Sequence, residues 1–348
     1  MNRSKRRNSE TELSVNIRRP KTRRFFAELS VFLATMALVH DSEAQSKKVR
    51  LAIPGYTIAV LSFFAAKTNG YFSSEGFDVE LIAMRAPTAN LALLGGNVEF
   101  SSVPMVGLTT ALRGAPLKVL FCQNDKPQHV LFAKPDIQTV KALRGKKIAV
   151  AGPGIIDDIL LREVLQANGI DATRDATILA VGAADTRLSA LLGGAVDAAV
   201  LIAPFTFSAK EMGLKELVVF GDQGFVLPSG GIVARDDFLK TEPATVEKFV
   251  RATLMGFLFS RDNRGGAIRV LTRNLKVDEA TATKIYDSSR ATFTSDGALS
   301  EDVQKKMIDF ASKLSAAKEL VSPERVFDFT HIRKANAALQ TKGWRPGS

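Results

Sequence analysis

The chain has 348 residues, 46% of them hydrophobic, and a single cysteine among them. That content supports buried cores in two domains and excludes a disordered polymer, while one cysteine excludes an internal disulfide. The net charge of +11 is scattered over mixed-sign groups such as Arg162-Glu163 and Glu247-Lys248, with no basic stripe interleaved with aromatics, which excludes a nucleic-acid partner.

Residues 1–24 carry nine Lys or Arg against two acids, and an apolar run from Leu29 to Val39 follows. The run is too short for a hydrocarbon core, which takes roughly 20 helical residues, but it suits the apolar middle of an export signal. Ser42-Glu43-Ala44 places small residues three back and one back from a cut before Gln45. Thr22-Arg23-Arg24-Phe25-Phe26 has the twin-arginine pattern, with Glu28 close behind it. Residues 1–44 are therefore read as a cleavable signal, by the general or twin-arginine route, in preference to a retained amphipathic anchor. The expected product is a soluble periplasmic protein, with no cysteine near the cut to carry a lipid.

From Val49 apolar runs of strand length alternate with amphipathic segments of helix length, the pattern of parallel α/β construction. Strands are expected at Val49–Ile53, Phe77–Ile82, Val98–Ser102 and Leu117–Phe121. Between them come helices from Ile58 to Asn69, from an N-cap at Thr88 to Gly95-Gly96, and from Pro104 to Gly114. The series then restarts, with strands at Val130–Ala133, Lys147–Ala151, Thr177–Val181, Asp197–Ile202 and Glu216–Phe220, and helices from Thr139, Ile155, Asp185 and Pro204. A further strand, Gly231–Ala234, precedes a helical tail. Glu242-Pro243 opens its helix Ala244–Ser260, and others follow from Asp278, Ser300 and Ser322-Pro323.

One device is written twice. Ala92-Leu93-Leu94-Gly95-Gly96-Asn97-Val98-Glu99 returns as Ala190-Leu191-Leu192-Gly193-Gly194-Ala195-Val196-Asp197, and each copy is followed by a proline, Pro104 and Pro204. In each, a helix closes at Gly-Gly, a tight turn carries an acid, a buried strand follows, and a proline opens the next helix. The expected organisation is residues 45–125 as the first part of lobe 1, 126–222 as lobe 2, and 223–348 as the completion of lobe 1 with the C-terminal helices.

In open parallel sheets ligands bind beyond the carboxyl ends of the strands. Two such sheets facing one another would form a cleft from Gly55, Tyr56, Thr57, Arg85, Thr88, Ser101 and Ser102 of lobe 1 and Gly154, Ile155, Ile156, Asp157, Pro204 and Phe205 of lobe 2. Only one of Ser101 and Ser102 should face it, because a strand alternates its sides. Arg85 is the candidate counter-charge for a carboxylate or sulfonate, and Tyr56 and Phe205 either stack on a planar ligand or pack at the mouth. Asp157 and Asp158 suit the positive end of a helix dipole; if Asp157 faces the cleft it would favour an amine or hydroxyl.

Gly70-Tyr71-Phe72-Ser73-Ser74-Glu75-Gly76-Phe77, the two Leu-Leu-Gly-Gly segments and Leu143-Arg144-Gly145-Lys146-Lys147-Ile148-Ala149-Val150 occur in an order that resembles periplasmic substrate-binding proteins of ABC importers. The resemblance is to the nitrate, sulfonate, taurine and bicarbonate type with the NMT1/THI5-like fold, and it spans nearly all of the chain after the leader. It implies a two-lobed type II clamshell, each lobe a mostly parallel sheet flanked by helices, with a helical tail. It also implies a monomeric receptor for a small organic solute, a sulfonate, carboxylate or related molecule, delivered to a membrane permease with its ATPase. Such proteins commonly carry Ser or Thr at the start of the long lobe 2 helix, where amides and hydroxyls hold an anionic head group. Here that position reads Gly154-Ile155-Ile156, which disfavours a small inorganic anion and admits a ligand with an apolar part.

The alternative is an enzyme of the same fold, a thiamin-pyrimidine-precursor synthase or desulfinase, in which Cys122 and His129 would act as nucleophile and base. Three histidines, His40, His129 and His331, leave little for a multi-imidazole metal site, and Gly152-Pro153-Gly154 lacks the rest of a phosphate-cradling motif. No catalytic residue, metal or cofactor is expected.

Overall fold

The computed structural model describes residues 46–315 and 321–346, so the expected export signal lies outside the described residues. The chain first lays down β1 (Lys47–Ile53), a 3₁₀ turn at Ile58–Val60, α1 (Leu61–Thr68), α2 (Tyr71–Ser74), β2 (Phe77–Ala83), α3 (Ala86–Leu94), β3 (Phe100–Ser101), α4 (Pro104–Leu112) and β4 (Leu117–Cys122). It then crosses to a second series of β5 (His129–Ala133), β6 (Lys147–Val150), α5 (Ile156–Ala167), β7 (Thr177–Ala180), α6 (Ala184–Leu192), β8 (Ala198–Ile202), α7 (Phe205–Glu211) and β9 (Lys215–Val219).

After a 3₁₀ turn at Phe220–Gln223 the chain returns as β10 (Gly231–Arg235). The tail is helical: α8 (Asp236–Thr241), α9 (Pro243–Asp262), α10 (Arg264–Leu275), α11 (Glu279–Arg290), α12 (Glu301–Ser315), α13 (Pro323–Val326) and α14 (Thr330–Thr341). No described helix is long and apolar enough to cross a membrane.

The two sheets share one plan. The first runs β2-β1-β3-β10-β4 and the second β7-β6-β8-β5-β9. In each, a strand arriving from the other series lies antiparallel between neighbours that are otherwise parallel: β10 between β3 and β4, β5 between β8 and β9. Each lobe is thus mostly parallel with one reversed strand, because the chain enters or leaves it from the opposite side. The inner strands of the second sheet read as continuous apolar runs, as strands covered on both faces must: all five residues of β5 and of β8 are buried, whereas the edge strands β2 and β7 are partly exposed.

The doubled segment occupies corresponding places. α3 and α6 end at Gly95 and Gly193, and Gly96 and Gly194 take left-handed backbone, φ 72° and 75°. A side chain there would be strained, so the pair of glycines turns each helix sharply into the next strand.

The tail is docked on the first sheet by the Tyr71–Phe77 stretch. Phe249 of α9 stacks on Phe100 at 4.0 Å between ring centres and on Phe72 at 5.1 Å, and Arg251 grips Glu75 with two hydrogen bonds of 2.6 Å.

Several sequence expectations are corrected. Thr88 is not an N-cap: α3 starts two residues earlier with Arg85 at the cap and Pro87 in the first turn, where proline is tolerated. The helix expected from Thr139 is only a 3₁₀ turn at Val140–Leu143. α10 is not expected from the sequence, because Gly265-Gly266 lowers helix propensity. Asn263 nonetheless caps it, accepting from the Gly266 amide at 2.9 Å.

Candidate ligand cavity

A cavity of about 470 Å³ opens where the carboxyl ends of both sheets' strands converge. From the first sheet it is lined by Pro54–Thr57 after β1, Met84–Ala86 after β2 and Val103–Val106 after β3. From the second come Ala151 and Ile155–Asp157 after β6, Gly182–Asp185 and Arg187 after β7, and Ile202 and Phe205 after β8. His129, Pro228 and Ser229 line it where the chain crosses between sheets. The same three strand ends of each sheet contribute, as the shared plan requires.

Of the residues expected at the cleft, the cavity brings together Gly55, Tyr56, Thr57, Arg85, Ile155, Ile156, Asp157 and Phe205. Thr88, Ser101, Ser102, Gly154 and Pro204 are not among its lining residues. Ser101 and Ser102 are both buried, their hydroxyls without a hydrogen-bond partner. Pro204 follows a cis peptide bond and stands at the N-cap of α7.

The walls touch across the gap. The Ile58 amide donates to the Ala203 carbonyl at 3.3 Å, and a side chain at Gly182 would come within 3.9 Å of the Arg85 guanidinium. Tyr56 is half exposed and has one ring face packed on Phe64, with centres 5.7 Å apart and planes 15° apart.

Several amides at the start of α5 are already engaged. Asp157 accepts from the Ala151 amide at 2.6 Å and from the Asp158 amide at 3.1 Å, while Asp158 accepts from the Gly154 amide at 2.8 Å and from Arg162. Three amide donors that could hold an anion are therefore taken by the helix's own acids.

Asp157 also faces Arg187, Oδ2 to Nη2 3.5 Å, and both side chains are buried. The guanidinium is held further by the carbonyls of Val200, at 2.7 Å, and Gly182. Burial pushes the Asp157 carboxyl up from its ordinary value, and Arg187 and the amide donors oppose that shift. Burial likewise lowers Arg187, against the pull of Asp157 and Asp185.

The cavity wall also holds Arg187 and His129, neither of which the sequence singles out as a cleft residue. Arg187 sits among Asp185 and Thr186, a run that reads as solvated surface, yet it shares the buried stripe of Ala184, Leu188 and Leu191. That stripe was the available signal. His129 opens the all-buried strand β5; it is 6% exposed, and its Nδ1 meets no partner. Cys122 is fully buried, does not line the cavity, and burial pushes its thiol up.

Two lobes of this plan around a shared cavity make the type II periplasmic-binding-protein fold. The NMT1/THI5-like family model matches residues 58–264, more than half of the chain, and the chain belongs to that family.

The riboflavin-binding protein RibY of Chloroflexus aurantiacus is 26% identical over 238 residues, which cover 64% of this chain and 65% of that protein. The 4-amino-5-hydroxymethyl-2-methylpyrimidine phosphate synthase THI11 of Saccharomyces cerevisiae is 25% identical, covering 55% of this chain and 60% of its own. The match thus spans less than two thirds of either relative's length. Among solved structures, the alkanesulfonate-binding protein SsuA of Xanthomonas axonopodis bound to MOPS superposes with a TM-score of 0.66 at 21% identity, covering 83% of this chain and 97% of that one.

Proposed function

We propose that the chain is an extracytoplasmic solute receptor, monomeric, that takes a small organic molecule into the interlobe cavity and passes it to an ABC importer's permease and ATPase. The observation that carries this reading is the cavity itself, lined from corresponding strand ends of both lobes and mostly by apolar side chains. A ligand touching both walls gains contacts in the closed form that it lacks in the open one, and that difference is all that can shift the equilibrium. The expected leader and the binding-protein relatives agree with export and transport.

The test is a thermal-shift screen of the full chain with riboflavin, formylaminopyrimidine, aliphatic sulfonates and aromatic carboxylates. A hit should raise Tm, and Tyr56→Ala or Phe205→Ala should weaken the hit's binding roughly tenfold, the scale of one lost aromatic contact. No shift with any member of such a panel would remove the receptor reading.

The synthase relative supports a second reading, an enzyme built on Cys122 and His129. The buried thiol outside the cavity wall speaks against it. Turnover of a hit, seen by mass spectrometry and lost in Cys122→Ala, would establish it instead.

A further inference from the structure

The ionisable groups on the cavity wall balance. Arg85 and Arg187 are opposed by Asp157 and Asp185, leaving His129 as the imidazole among them. Burial, with the Arg187 charge beside it, lowers the His129 pKa to about 3, so the ring is neutral under ordinary conditions. An oxyanion entering here would meet two carboxylates as well as two guanidinium groups. At the start of α5 it would find apolar Ile155 and Ile156, and the amides of Ala151 and Gly154 already engaged.

The polar capacity lies elsewhere. His129 Nδ1 has no hydrogen-bond partner although the residue is only 6% exposed, a condition that buried polar atoms rarely keep without a ligand or water. Arg187 directs Nε to the Val200 carbonyl and Nη1 to the Gly182 carbonyl, and its Nη2 stands 3.5 Å from Asp157. A guanidinium has five N–H groups, so these two carbonyls leave donors over. Val200 lies two residues along β8 from Ile202, the strand partner of His129, which places imidazole and guanidinium at the same end of the cavity. Tyr56, backed by Phe64 on one face, offers a flat apolar platform from the facing lobe.

We infer that His129 and Arg187 together read an uncharged amide-type group, its oxygen accepting from Arg187 and its N–H meeting the imidazole, on a flat ring that lies against Tyr56. This rests on the receptor reading and deepens it by assigning the ligand's class: a neutral, planar, amide-bearing molecule in place of a sulfonate or carboxylate. Asp157 is a positioning residue in this scheme, holding Arg187 and cancelling its charge so that the site does not select an anion.

The test uses three probes that share one ring: quinoline-3-carboxamide, quinoline-3-carboxylate and quinoline-3-sulfonate, titrated calorimetrically into the full chain at pH 7.5. The carboxamide should bind at least tenfold more tightly than either acid. His129→Leu should erase that preference, and His129→Asn, which keeps a hydrogen-bonding side chain, should retain part of it. Asp157→Asn, by uncovering the Arg187 charge, should move the preference towards the carboxylate by tenfold or more. Unliganded Tm is measured for each variant; should His129→Leu fail to fold, His129→Asn and Asp157→Asn decide.

Acids binding as tightly as the amide in the unaltered protein, or a preference unchanged in these variants, would overturn the inference while the receptor reading stands. Failure of all three probes to bind would overturn the inference alone, since the wider solute panel judges the receptor reading separately.

Discussion

A buried imidazole beside a buried arginine has one comfortable state, the neutral one, and the protein is committed to it. The unfolded chain can protonate His129 below about pH 6.5, whereas the folded chain resists until about pH 3. Between those values the unfolded state binds more protons, so stability must fall as pH falls, by about 1.4 kcal/mol per pH unit for one such group. Replacing His129 by leucine removes this contribution and leaves the other titrating groups in place. Urea unfolding at pH 7.0 and pH 5.0 should therefore show the unaltered protein losing about 2 kcal/mol more than His129→Leu over that interval. Equal losses would mean that the ring gains a proton in the folded protein. Asp157 responds in the opposite sense, since a raised carboxyl favours the folded state at lower pH. The comparison between variant and parent separates the two.

At the scale of elements, the central contact of lobe 1 is the crossing of α1 and α9, and it depends on a position with no side chain. A Cβ at Gly256 would collide with the Ser62 carbonyl and come within 2.6 Å of the Ala66 amide nitrogen and 2.8 Å of its Cβ. Gly256→Ala must therefore push the helices apart, at a cost of about 1–3 kcal/mol for overpacking. That outweighs the propensity gain of roughly 1 kcal/mol that alanine would bring to an exposed helix interior. A lower Tm is expected, and an unchanged or raised one would show that the helices separate freely.

Such a contact explains what could be read from the sequence and what could not. Local signals were legible: the doubled Leu-Leu-Gly-Gly turn, the proline-opened helices and the apolar strands all rest on backbone preference and periodicity. The Glu75–Arg251 pair joins residues far apart in the chain, and the Asp157–Arg187 pair depends on which face of a short helix is covered. The first has no local signature, and the second has only the apolar stripe beside Arg187. Ser101 and Ser102 were expected to differ, one in and one out, by strand alternation. β3 is so short and so enclosed that both are buried.

For the whole molecule, the chain passes between the two sheets at two crossings, residues 123–128 and 224–230, and these are bound to each other. Asn124, fully buried, accepts at Oδ1 from the Ser229 and Gly230 amides, both at 3.2 Å, and so ties the outgoing strand to the returning one. Next to it Gln123 accepts from the Ser62 amide at 2.9 Å and donates to the Ile58 carbonyl at 2.9 Å, pinning the first helix to the same junction. Ile58 in turn donates to Ala203 across the cavity, so junction and cavity wall form one connected set of bonds.

Asn124→Ala leaves two amides without their acceptor and should cost about 1–3 kcal/mol. The more specific consequence concerns closure. If the junction holds the lobes near the binding geometry, loosening it lowers the fraction of molecules ready to bind, and apparent Kd rises by the reciprocal of that fraction. A tenfold weaker affinity for any solute found by the screen is expected, together with a larger radius of gyration by small-angle scattering, though Asn124 does not line the cavity. Unchanged affinity and radius in a variant that still folds would assign the lobe angle to the facing loops instead of the junction.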